Sequence, residues 1–144
     1  MNFPRVAMAA VAAWIVSVPL GYIVNEIILK DVFLANAAAL RPEAQVMGNL
    51  PIAFGMMLLG FFAFAYAYAK GYEGGGGILE GVRFGVLVAL MLDCFVVSWW
   101  YSTVPINTTM FLSTCIDYIV EYSIFGAIVA AIYKPVPVPA RQGT

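Results

Sequence analysis

Asp93 and Asp117 lie equally far from Pro105 along the chain, each inside a long apolar run, and Glu121 follows Asp117 by one helical turn. Carboxylates in apolar helices can do three kinds of chemistry. Protonated, they hydrogen-bond between helices; facing a wet cavity, they relay protons or hold a cation; opposite another protein, they meet a positive side chain. An ionised aspartate at the middle of a spanning helix costs about 2.5–3.5 kcal/mol, so one of these arrangements is required. Ser98, Ser113, Thr114, Tyr118 and Tyr122 are the candidate hydrogen-bond partners. Asp117 and Glu121 share a helix face, so one cavity or one partner would serve both. Asp93, Asp117 and Glu121 are therefore read as one intramembrane acidic cluster. Glu26 is a further acid, near the end of its own apolar run and within reach of Lys30. Arg83 is roughly 15 Å along the helix from Asp93, too far to neutralise it.

Other chemistries find little support. The chain has no histidine, which removes His-ligated haem, His-ligated zinc and the usual proton shuttle. Its two cysteines, Cys94 and Cys115, lack CxxC spacing and read as small apolar packing residues. The hairpin brings them to a similar level, so a disulfide is geometrically conceivable. Lys70 to Gly77 ends in four glycines, but no Gly-Lys-Ser/Thr follows, so it is a connector rather than a phosphate loop. A net charge of −1 disfavours nucleic-acid binding. No nucleophile–base pair, metal cluster or nucleotide loop is visible, so an enzyme is not expected, and no cofactor is specified.

The elements that must position the acids follow from hydropathy. Hydrophobic residues make up 63% of the chain and charged residues 10%, against about 45–50% and about 25% in soluble domains. A spanning helix needs about 20 apolar residues. Four segments meet this, at about 6–29, 50–69, 78–101 and 110–133. The fold expected is all-α, a multi-pass up-down bundle of four transmembrane helices over 1–134, followed by a Pro-rich tail at 135–144. A cleavable signal peptide built on Arg5 is the alternative for the first segment, but its apolar region runs past Pro19, beyond the usual 7–15 residues or so. Pro19 is expected to kink that helix. Between 30 and 49, Phe33, Ala37, Leu40, Ala44 and Met47 recur at helical spacing, with Pro42 as a break. This predicts a short interfacial helix, with a ligand-covering lid as the sharper alternative.

Gly81 and Gly85 form a GxxxG pair at the start of the third segment, and Gly126 with Ala130 gives the fourth a small-residue face. Glu80 and Arg83, one turn apart, are expected to pair at the interface. Trp99, Trp100 and Tyr101 read as an aromatic belt. Asn107-Thr108-Thr109 fits a glycosylation acceptor, but so close to the membrane chance is the better account. With both termini on one side, Arg5, Lys70, Arg83, Lys134 and Arg141 face Lys30 and Arg41 opposite, so the positive-inside rule puts both termini in the cytoplasm.

The stretch Glu80-Gly81-Val82-Arg83-Phe84-Gly85, after a Gly-rich turn and before an apolar span, resembles small uncharacterised bacterial four-helix membrane proteins. The resemblance covers the second and third spans. It implies that fold and a bacterial inner membrane, and transfers no catalytic residue. Small-residue faces on so short a chain favour helix contacts beyond its own bundle. The function expected is a non-catalytic accessory subunit of a larger membrane assembly, or a homo-oligomer, with lipid and other membrane subunits as partners. A proton- or cation-coupled transporter using the acids is the alternative.

Overall fold

Asn2 starts the first helix: its side chain accepts the Arg5 N–H, and a proline follows within the first turn, where its missing N–H costs nothing. The computed structural model describes residues 1–74 and 77–133, all of it helix, turn or short connection, with no strand among these residues. Four helices are long and apolar enough to cross a bilayer: α1 (Phe3–Ile28), α3 (Glu43–Gly71), α4 (Gly77–Thr103) and α5 (Thr108–Ile132). A short helix, α2 (Lys30–Ala35), follows α1, with a 3-10 turn at Ala37–Ala39. The chain is an all-α four-helix bundle. The Pro-rich tail and Lys134 and Arg141 lie outside the described residues.

One correction concerns the second span. Pro42 does interrupt the helical pattern, but it serves as the N-cap of α3 instead of ending an interfacial helix. Ala44 and Met47 therefore belong to α3, which begins at Glu43 and passes through Pro51. At a rise of 1.5 Å per residue α3 is about 43 Å long, against about 30 Å of hydrocarbon. Its first turns project beyond the other helices, and almost all of Glu43–Gly60 faces outward.

The bundle is closed at the end where α1 begins, here the near end. Ala9, Ala10 and Ala13 are fully buried there and let α1 approach α3 and α5 closely. Phe61, Phe64, Tyr68, Phe84, Phe125 and Tyr133 interlock edge to face around them. The closest pairing is α4 with α5. A Cβ added at Gly81 would meet the Gly126 carbonyl, and one at Gly85 the Tyr122 carbonyl. The GxxxG face is thus spent inside the chain.

The far end is held differently. Asn107 caps α5 by accepting the Met110 N–H at 2.9 Å, which explains the Asn-x-Thr sequence without a modification. Asn36, only 5% exposed, accepts the Asn107 N–H at 2.7 Å and donates to the Val32 carbonyl. One side chain therefore ties the α2 connection to the Pro105 turn, over buried Ile106 and Met110. Asn36→Ala is expected to cost about 1–3 kcal/mol, because it leaves a buried N–H unpaired. Thermal unfolding in mild detergent measures this, and an unchanged midpoint would show that the tie carries no weight.

Two spans also change pitch. Ile23–Ile28 of α1 and Asp93–Val97 of α4 are π-helical, with Leu29 N–H reaching Val24 O and Ser98 N–H reaching Asp93 O. Each π turn adds a residue and rotates the remainder of its helix by about 100°. Trp100 accordingly turns inward, whereas Trp99 stays outward and Tyr101 stacks on Phe111.

Candidate functional site

The side chains that meet inside the bundle are set by ridges of every fourth residue. On α5 the ridge Asp117, Glu121, Phe125, Val129 faces α1 and α3; its near half is buried core and its far half carries the two acids. Toward the far end the helices separate around a cavity of about 730 Å³. From α5 it is lined by Thr114, Asp117, Tyr118, Glu121, Tyr122 and Phe125. Ser17, Gly21 and Asn25 line it from α1, and Phe84, Val88, Leu92 and Trp100 from α4. Met57, Gly60, Phe61, Ala63, Phe64 and Ala67 supply the α3 wall. Leu29 and Phe33 close the far side, so the α2 region does cover the cavity.

The electrostatics are one-signed. Asp117 and Glu121 are half-buried, one turn apart and close enough to repel each other. No lysine or arginine lines the cavity. Neither carboxylate forms an ion pair or a hydrogen bond among the described residues. The hydroxyls expected to serve them are partly used elsewhere: Thr114 donates to the Met110 carbonyl and Ser98 to the Cys94 carbonyl. Tyr118 and Tyr122 line the cavity in edge contact with each other. Asn25 donates to Gly21 O from within the π turn of α1.

Asp93 is not part of this wall. It is 9% exposed and lies on the ridge Gly81, Gly85, Ala89, Asp93, which packs against α5. Its neighbour there is the Cys115 thiol, and its Oδ1 has no hydrogen-bond partner among the described residues. The expected cluster of three acids is thus a pair and a separate single acid. All three stand at a common depth, because α4 and α5 pair in the register Gly81–Gly126, Gly85–Tyr122 and Tyr101–Thr108. They differ in azimuth.

The other candidates are easily placed. Glu26 sits in the π turn of α1 and faces outward, off the cavity. Glu80 accepts the Glu73 N–H at 2.8 Å, folding back on the Gly-rich connector, and no ion pair with Arg83 forms among the described residues. Cys94 and Cys115 are free thiols. Among the described residues no three His, Cys, Asp or Glu side chains gather as a metal site. Two residues were not singled out from sequence: Asn25, whose only signal is an amide in an apolar run, and Trp14, which donates to the Phe54 carbonyl of α3 at 3.1 Å. Compared with known protein families, curated proteins and solved structures, the chain matches none.

Proposed function

We propose that this small membrane protein is a proton- or cation-coupled carrier whose binding site is the cavity walled by Asp117 and Glu121. The observation that supports it is two neighbouring carboxylates on one cavity face with no positive side chain among the lining residues. An ionised acid at this depth costs about 2.5–3.5 kcal/mol. Interhelical bonds would offset that cost if the acids were structural glue, but neither acid makes one among the described residues. Protons or a bound cation offset it instead, and a site that alternates between the two couples their movements. With Arg5, Lys70 and Arg83 at the near end, against Lys30 and Arg41 opposite, the near end is cytoplasmic and the cavity lies in the outer half.

The test is proton movement into vesicles that contain the purified protein and a trapped pH-sensitive dye. Asp117→Asn and Glu121→Gln are each expected to reduce flux to the background of empty vesicles while still inserting. Asp93→Asn, off the cavity, is expected to retain most of it. Absence of flux in the parent, or equal flux in all three variants, would exclude the carrier.

An accessory subunit or homo-oligomer is the second reading, and one observation favours it. Gly48, Gly55 and Gly60 have nothing within 4 Å of an added Cβ, on the stretch of α3 that projects outward. Extraction in mild detergent with size measurement and mass spectrometry of companions decides it. A lone monomer would count against it.

A further inference from the structure

We propose that the cavity takes a lipophilic organic cation: a single positive centre inside an apolar, roughly drug-sized envelope. This names the cargo class of the site above and rests on the carrier reading for its direction of travel.

Size comes first. About 730 Å³ lies within the range of roughly 300–1,000 Å³ that holds drug-sized ligands. It is far too large for a bare metal ion, which two carboxylates among mostly apolar walls would leave badly coordinated. Charge comes next. The lining has two carboxylates and no cation, so anions are repelled, and a phospholipid headgroup would bring its phosphate against Asp117 and Glu121. The aromatic lining then favours one kind of cation. Phe61, Phe64, Phe84, Trp100, Tyr122 and Phe125 present rings around the pair, and ring faces attract a poorly hydrated positive charge while burying its apolar surround. A strongly hydrated cation gains little from such walls and must give up its water. Access fits as well. Gly60, Ala63 and Ala67 form a low, outward-exposed section of the α3 wall, open toward the bilayer, where lipophilic cations concentrate.

The experiment titrates the full-length protein in mild detergent with tetraphenylphosphonium and follows tryptophan fluorescence, since Trp100 lines the cavity. Saturable quenching is expected. Asp117→Asn or Glu121→Gln should each raise Kd about tenfold, with no change in elution volume. Gly60→Phe, which enters free space at the cavity wall, should weaken binding similarly without removing a charge. Glu26→Gln should change nothing. Acidification should release the phosphonium, because protons compete for Asp117 and Glu121; Tyr118 and Tyr122 are the other titratable groups there, and α1, α3 and α4 supply none. Triphenylphosphine oxide, a neutral relative, should compete poorly, and millimolar sodium or magnesium not at all. Equal competition by the neutral compound, displacement by the inorganic ions, or unchanged Kd in both acid variants would overturn the proposal. Proton flux without phosphonium binding would overturn the cargo class and leave the carrier standing. Phosphonium binding without flux would overturn the carrier and leave the cargo class standing.

Discussion

Gly126→Ala is expected to separate α4 from α5 and leave little folded protein. The added Cβ would fall on the Gly81 carbonyl and lie 3.1 Å from the Gly85 nitrogen. Gly85→Ala would strike the Tyr122 carbonyl and approach the Ser123 nitrogen at 3.0 Å. Overpacking costs about 1–3 kcal/mol when side chains can yield. Here the obstacles are backbone atoms on rigid helices, so the whole contact must open, and more than about 3 kcal/mol is expected. Gly48→Ala, Gly55→Ala and Gly60→Ala supply the contrast. Each new methyl meets nothing within 4 Å, and alanine is the better helix former by up to about 1 kcal/mol. Thermal unfolding followed by size in mild detergent compares the two sets. Equal midpoints for Gly126→Ala and Gly55→Ala would refute the close α4–α5 pairing. A change in particle size confined to the α3 set would instead place chain–chain contacts on α3.

Depth was legible in this sequence and direction was not. Hydropathy length alone predicts four spans, and the symmetry of Asp93 and Asp117 about Pro105 predicts their common level, which the α4–α5 register bears out. Azimuth requires knowing which face each helix turns to its neighbours. For α4 the signal was present: Gly81, Gly85 and Ala89 recur every fourth residue, and Asp93 is the next member of that row. Following the row would have removed Asp93 from the cluster. For α5 the same step puts Asp117 and Glu121 in line with Phe125 and Val129, the core face. The π turns left no such trace, since a single inserted residue has no compositional mark. They account for Trp100 facing inward where a plain belt was expected. The start of α3 was missed because Pro42 looks the same whether it ends one helix or opens the next.

Asp93→Ala is expected to make the protein more stable, by about 2 kcal/mol. The substitution extends the row Gly81, Gly85, Ala89 with another small residue at a place where α4 already packs closely on α5. It removes a carboxyl that is 9% exposed and whose Oδ1 has no partner among the described residues. Removing a charged group at this depth saves about 2.5–3.5 kcal/mol on insertion scales, and the space vacated beside Cys115 returns part of that as lost contact. The unfolding midpoint in mild detergent should therefore rise, and phosphonium binding should stay within about twofold of the parent, a change worth less than about 0.5 kcal/mol. A lower midpoint would mean that the carboxyl holds α4 to α5 after all. A higher midpoint with binding lost would mean that Asp93 reaches the cavity through a rearrangement of its π turn, and the division of the acids into a pair and a separate single acid would have to be abandoned.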